Sequence, residues 1–162
     1  MRANCERVRD AVQYVHDATV AGMNAGTDVR TLMRDIALPP ELEVGEGYGK
    51  VSWDVRAIWE NYAGWFHHQS TTELYDVPAS SVHGDILDAA GGADGLVERA
   101  SARLAGGEPL PAIHLAEIVL TVEPDHAGAL AVMVEAHTRL LERSENFWET
   151  AWLRKQLTEL DR

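Results

Sequence analysis

The sequence lacks a second cysteine and lacks any long apolar run; Cys5 is its one thiol. A single cysteine excludes an internal disulfide and a zinc ribbon built from several cysteines. No stretch approaches the ~18 uncharged apolar residues that a membrane span requires. The first ten residues carry charge and contain no apolar core of a signal peptide. We therefore expect no membrane partner, and a cytoplasmic location if this chain is a complete protein.

An excess of basic residues is also missing. The chain has 14 lysines and arginines against 26 aspartates and glutamates, a net charge of −12 at pH 7, and the acidic excess lies in both halves. Nucleic acids and anionic lipid surfaces attract basic stripes or patches. The charge therefore excludes a nucleic-acid partner as the leading hypothesis and gives no support for a membrane-surface role.

What the sequence does contain is helical periodicity. Apolar residues recur at intervals of three and four along most of the chain, which predicts amphipathic helices. No run alternates with a period of two, so no strand is predicted. In the first helix the predicted apolar stripe consists of Val8, Ala11, Val12, Val15, Thr19 and Gly22. The predicted fold class is all-α, a multi-helix domain with antiparallel helical hairpins.

The second half resembles paired helices of the tetratricopeptide (TPR) type. Small residues at Ala112 and Ala116 and a proline at Pro124 are typical of the second helix of such a hairpin. One unit is visible, whereas about three are needed for a repeat array. We predict one helical domain over residues 1–162, with N-terminal helices and an aromatic segment in 1–78 and TPR-like hairpins in 79–162.

Aromatic residues are concentrated in one segment. More than half of the chain's aromatic side chains lie between Tyr48 and Phe66. The third predicted helix has a stripe that steps by three and four residues from Val51 to Trp65, and other indoles fall off that stripe. Because exposed indoles need cover and often anchor interfaces, we predict that a second subunit or a neighbouring domain contacts this segment. The predicted interface residues are Tyr48, Trp53, Val55, Trp59, Tyr62, Trp65 and Phe66.

No catalytic or metal-binding motif is present. The sequence contains neither H-x-H-x-D-H nor H-E-x-x-H, and no framed nucleophile. The adjacent pair His67 and His68, with Glu73 or Asp76, is the one arrangement that invites a zinc hypothesis. Adjacent ligands diverge on either a helix or a strand, and zinc sites use wider spacings, so a polar loop is the favoured interpretation. We predict no catalytic, cofactor-binding or metal-binding residue in this chain.

Several segments together resemble the dimerisation domain of type III alkylsulfatases, in the metallo-β-lactamase superfamily. The combination of Tyr-Gly, Arg-Ala-Ile-Trp and Gly-Trp-Phe within one stretch is the most specific part of the resemblance. The similar segments extend over nearly the whole chain: Arg9–Gly26, Ile36–Leu42, Tyr48–His68, Thr72–Pro78, Ala89–Ala100, Gly107-Glu108 and Val122–Pro124.

The resemblance implies an assembly role. In that family a separate N-terminal catalytic domain holds two zinc ions through H-x-H-x-D-H, and none of that motif occurs here. The implied function is homodimerisation of a zinc-dependent alkylsulfatase-like hydrolase, without catalysis by this chain itself. The implied partners are a second copy and a metallo-β-lactamase-type catalytic domain.

Two alternatives stay open. Trp53 stands where many relatives carry histidine, so the parent enzyme could be another metallo-β-lactamase-fold hydrolase rather than a sulfatase. A stand-alone helical-repeat module, binding a protein in the groove of residues 93–143, is the other alternative.

Overall fold

A computed structural model describes residues 2–161 as an all-helical structure. This part of the chain forms eight α-helices and three 3₁₀ turns and contains no strand, which confirms the predicted fold class. None of its helices has the length and apolarity of a membrane-spanning segment. The helices are α1 (Arg2–Asn24), α2 (Val29–Asp35), α3 (Val51–Ala63), α4 (His83–Ala89), α5 (Ala93–Ala105), α6 (Pro109–Val122), α7 (Ala127–Arg143) and α8 (Phe147–Leu160); the 3₁₀ turns are Pro40–Leu42, Thr71–Leu74 and Ala79–Val82.

The helices divide into two compact units. The first contains the described residues up to Tyr75 together with Asn146–Trp148, and the second contains Asp76–Glu145 and the described residues from Glu149 onward. Each unit has its own buried apolar cluster. The extent of the predicted single domain and the TPR-like character of its second half stay predictions.

The first unit is built from α1, α2 and α3. On α1 the buried positions Ala11, Val15 and Thr19 repeat every four residues, and the Thr19 hydroxyl donates a hydrogen bond to the Val15 carbonyl at 2.7 Å. Val8 and Val12, predicted for the same stripe, are instead about half exposed. The core of this unit consists of Val15, Val29, Leu32, Val55 and Trp59.

Asp28 caps α2. Its carboxylate accepts hydrogen bonds from the backbone N–H groups of Arg30 and Thr31 at 3.0 and 3.1 Å. Hydrogen bonds from the Thr31 side chain and backbone, and then from Arg30, lower the pKa of Asp28. A lowered pKa stabilises the folded state above the unfolded pKa, and this contribution disappears as the pH falls through the folded pKa.

The cap gives a pH-dependent prediction. Asp28→Ala should lower the melting temperature at pH 7, whereas Asp28→Asn, which keeps an acceptor oxygen, should leave it nearly unchanged. Well below the ordinary pKa of 3.8, the wild-type chain should lose the part of its advantage over Asp28→Ala that depends on the carboxylate charge, while the advantage of Asp28→Asn should not depend on this titration. Circular-dichroism melts at both pH values test this. An alanine variant as stable as wild type at pH 7 would contradict the capping role.

The second unit is a set of closely packed hairpins formed by α5, α6 and α7. Alanines occupy fully buried positions on all three helices, and a small side chain lets neighbouring helices approach closely. Larger apolar residues fill the space between these contacts, among them Leu96, Leu104 and Val119. The fully buried alanines are Ala100, Ala112, Ala116, Ala129 and Ala136.

Gly95 in α5 provides a test of backbone packing in this unit. A Cβ atom at Gly95 would lie 2.6 Å from the Ala90 carbonyl oxygen, whereas a Cβ at Gly84 in α4 would meet open space. We expect Gly95→Ala to lower the free energy of unfolding by about 1–3 kcal/mol, because the backbone must move. Gly84→Ala should raise it by up to ~1 kcal/mol through helix propensity. Urea unfolding measures both, and equal stabilisation by the two substitutions would contradict the close approach.

Candidate interaction surface

A glycine-rich loop in the first unit is held by a buried asparagine. Asn146 is 2% exposed, and its side-chain amide donates hydrogen bonds to the carbonyl oxygens of Glu46 at 2.7 Å and Gly49 at 3.2 Å. The backbone N–H of Phe147 donates to the Gly47 carbonyl at 2.7 Å. Three carbonyls of the loop thus have partners on Asn146 and Phe147. The loop therefore has a defined conformation around Tyr48.

Three aromatic side chains project from this clamped region. Tyr48, Phe147 and Trp148 are 74%, 53% and 60% exposed. The ring centroids of Tyr48 and Phe147 lie 5.4 Å apart, and those of Phe147 and Trp148 lie 5.2 Å apart in an edge-to-face arrangement. We call these three residues the loop-aromatic cluster. Rings in mutual contact on a fixed backbone form an apolar surface that loses little conformational freedom on binding.

A groove lies beside this loop. It has a volume of about 190 Å³ and is lined by α1, the loop and the start of α3, with Val8, Val12 and Val44 exposed along it. The Glu46 carboxylate accepts a hydrogen bond from the Val51 N–H at 2.7 Å and so caps α3. Partial burial, and then repulsion from Glu46, raise the pKa of Asp54. Small-molecule sites usually occupy about 300–1,000 Å³, so this groove is below that range.

The predicted interface residues separate into two groups. Val55 and Trp59 lie in the core of the first unit, where the Trp59 ring makes an edge contact with His67 at 5.0 Å. Trp59 therefore already has cover within its own chain, contrary to the expectation that its indole needs cover from outside. A Trp59 substitution should consequently act on folding.

The second group keeps exposed surface and contacts neighbours in the same chain; it consists of Trp53, Tyr62, Trp65 and Phe66. The Lys50 ammonium lies 5.6 Å from the Trp53 ring centroid, and the Tyr62 hydroxyl is hydrogen-bonded to the His16 ring at 2.9 Å. Trp65 is 71% exposed and packs on the half-buried Phe66. Their interface role stays a prediction, and Tyr48 contacts Phe147 rather than any of them.

The histidine pair lies in a loop that Glu73 organises. The Glu73 carboxylate accepts hydrogen bonds from the backbone N–H groups of His67 at 2.6 Å and Ser70 at 3.1 Å. Burial tends to raise the pKa of Glu73, but these bonds and one from Gln69 outweigh burial and lower it. Glu73 thus serves the local backbone. In residues 2–161 no three histidine, cysteine, aspartate or glutamate side chains gather as a metal site would require.

The comparison with known families decides the chain's membership. Residues 29–162 match the alkyl sulfatase dimerisation family. The chain belongs to that family. The match covers most of the first unit and all of the second, and the family resemblance noted in the sequence is therefore confirmed.

Known relatives of this alkyl sulfatase dimerisation chain are much longer proteins. A linear primary-alkylsulfatase of Pseudomonas sp. is 29% identical over 158 residues, which cover 94% of this chain and 30% of that protein. An alkyl/aryl-sulfatase of Saccharomyces cerevisiae is 25% identical over 160 residues, which cover 94% of this chain and 25% of that protein. A stereoselective inverting sec-alkylsulfatase of Pseudomonas sp. has a similar fold, with a TM-score of 0.83 at 23% identity, covering 94% and 25%. The chain thus spans less than a third of these relatives' length.

Sequence reasoning missed part of the surface of this alkyl sulfatase dimerisation domain. The apolar pattern predicts Phe147 and Trp148 as positions of the last helix and gives no role to Asn146. Adjacent residues on a helix point about 100° apart, so Phe147 and Trp148 could not both face one core. That signal could have identified an exposed aromatic. The pairing of Asn146 with Glu46 has no local signal, since 100 residues separate them.

Asn146 gives a stability prediction for this alkyl sulfatase dimerisation domain. Asn146→Ala removes both donors and leaves the Glu46 and Gly49 carbonyls without this partner, so we expect a loss of about 1–3 kcal/mol in unfolding free energy. The control is Asn61→Ala, at an exposed position of α3, which should change stability by less than about 0.5 kcal/mol. Urea unfolding compares the two. A tolerated Asn146→Ala would contradict the clamp.

Proposed function

We propose that this chain is a homodimerisation module of a zinc-dependent, metallo-β-lactamase-type alkylsulfatase and that it does not hydrolyse sulfate esters by itself. The observation that carries the proposal is the match of residues 29–162 to a family described by alkyl sulfatase dimerisation. Relatives named as alkylsulfatases are three to four times longer than the matched region. This supports a catalytic part outside the region that the chain represents.

Self-association is tested by the mass in solution. Light scattering coupled to size exclusion at low micromolar concentration should give twice the chain mass of 17.8 kDa. Stable homodimers commonly bury about 2,000 Å² or more in total, so the mass should stay constant on moderate dilution. A mass near 18 kDa throughout the concentration range would contradict the homodimer.

The absence of catalysis is tested with an alkyl sulfate and added zinc. A zinc-bound water nucleophile needs converging ligands and an open coordination position. The sequence contains no H-x-H-x-D-H motif. We expect no sulfate release above the uncatalysed rate. Turnover that survives purification and disappears in His67→Ala or His68→Ala would overturn the proposal.

The parent activity is tested by reconstitution. A metallo-β-lactamase-type catalytic domain, added as a separate chain or joined to this one, should form a dimeric assembly when this chain is present and stay monomeric without it. An assembly that forms equally well without this chain would contradict its role. The same assembled enzyme, assayed on alkyl sulfates and on other esters, separates a sulfatase from another hydrolase of the superfamily.

A further inference from the structure

We propose that the loop-aromatic cluster of Tyr48, Phe147 and Trp148 is the centre of the contact between two copies of this chain. The inference rests on the proposed homodimer and assigns it a surface on which Tyr48 is the one residue also predicted from the sequence. Its first support is exposure: each of the three aromatic side chains is more than half exposed in the single chain. Exposed aromatic groups of this size are unusual on a monomer and typical of interface anchors.

The second support is rigidity. The loop that carries Tyr48 is fixed by the Asn146 amide and by the Phe147 backbone, with hydrogen bonds of 2.7–3.2 Å. The Phe147 ring also contacts both other rings, at centroid distances of 5.4 Å to Tyr48 and 5.2 Å to Trp148. Ordering side chains costs free energy on association, and here the chain has already ordered them. The cluster therefore meets the main requirement for an effective anchor.

The third support is charge. Each copy carries a net charge of −12, so the overall electrostatic interaction between two copies is repulsive. A contact between identical acidic chains is least unfavourable where the meeting side chains are uncharged. The three residues of the cluster include no acidic or basic side chain of the kind that produces this net charge. This favours a second copy, centred here, over a contact centred on the acidic surfaces of the chain.

Geometry supports the same occupant. In a two-fold dimer the same patch of both chains meets, so the patch must be self-complementary. Aromatic rings can stack on identical rings in offset or edge-to-face arrangements. An aromatic residue buries about 150–250 Å² when it is fully covered, and more than half of the surface of each of these three is still available, so together they can form the centre of a standard interface of ~800 Å² per chain. The exposed aromatics Trp53 and Tyr62 are weaker candidates, because Lys50 and His16 already contact them.

Paired charge substitutions test the assignment. Tyr48→Lys places two like charges near the two-fold axis, and we expect it to raise the dimer dissociation constant at least about tenfold, as loss of an interface anchor does. The matched control is Tyr75→Lys, at another exposed tyrosine, which makes the same change in net charge. It should leave the constant within about twofold. Sedimentation velocity over a dilution series measures both, and circular dichroism checks the fold.

A second pair of substitutions distinguishes the loop-aromatic cluster from the exposed aromatic residues just after α3. Trp148→Lys should weaken the dimer by a similar factor, whereas Trp65→Lys should not. If wild type is a monomer, the proposed homodimer and this inference both fail. If wild type is a dimer and the Tyr48 and Trp148 variants dimerise normally, this inference is overturned and the homodimer stands. Weakening by Trp65→Lys in place of Trp148→Lys would overturn this inference and assign the contact to the exposed aromatic residues just after α3.

Discussion

Replacement of Trp59 by alanine should lower the free energy of unfolding by about 3–5 kcal/mol. Trp59 is 8% exposed and packs in the core of the first unit with Val15 and Val55. It also makes the edge contact with His67. Removing the indole loses its burial and leaves a cavity that the surrounding helices fill only in part. Urea unfolding followed by circular dichroism measures the change.

Trp65→Ala is the matched control, because it removes the same side chain from a site that is 71% exposed. We expect a change within about 0.5 kcal/mol, as for most surface substitutions. Equal losses for the two tryptophans would show that Trp59 is not in the core. If Trp59→Ala unfolds the chain at room temperature, Trp59→Phe should restore folding and allow the comparison.

We expect the second large loss of stability in the second unit, for Leu104→Ala. Leu104 is buried at the end of α5 within the cluster shared by α5, α6 and α7. Its carbonyl also accepts a hydrogen bond from the Arg139 guanidinium at 2.6 Å, which connects α5 to α7. The backbone hydrogen bond is kept in the variant. The free energy of unfolding should therefore fall by about 2–5 kcal/mol because of the lost burial and the cavity that alanine leaves.

Leu110→Ala at the start of α6 provides the comparison for Leu104→Ala. Leu110 is more than half exposed, and we expect its substitution to change stability by less than about 0.5 kcal/mol. Thermal melts and urea titrations should both show a larger loss of stability for Leu104→Ala than for Leu110→Ala. A loss at Leu110 as large as that at Leu104 would contradict the burial pattern of this unit.

The presence of the helices could be predicted from the sequence. Regular spacing of apolar residues predicted a third helix from Val51 that ends near Gly64, and the structure has α3 at Val51–Ala63. The start of α7 is different from the prediction. Proline is favoured in the first turn of a helix, which predicts a start at Pro124, but α7 begins at Ala127, where the His126 side chain accepts a hydrogen bond from the Ala129 N–H. A histidine cap is not a strong sequence signal, and helix ends are the least certain part of such predictions.

The candidate surface was less predictable than the helices. The predicted stripe on α3 continued to Tyr62 and Trp65, yet Gly64 ends the helix with a φ of 70° and Trp65 leaves that face. Trp59 takes a core position instead. Periodicity describes one helix and carries no information on which neighbouring helix covers each face. It therefore could not separate Trp59, which is buried, from Trp65, which is exposed.

The hydrogen bonds of Asn146 also affect the order in which the chain can fold. They join residues 100 and 97 positions apart, and contacts of such long sequence separation form late because they close a large loop. On a ribosome the helices α1, α2 and α3 emerge well before Asn146 does. The loop that presents Tyr48 can reach its final conformation only when most of the chain has been synthesised. A nascent or truncated chain that stops before residue 146 would carry the same three helices with Tyr48 on a loop that lacks this anchor.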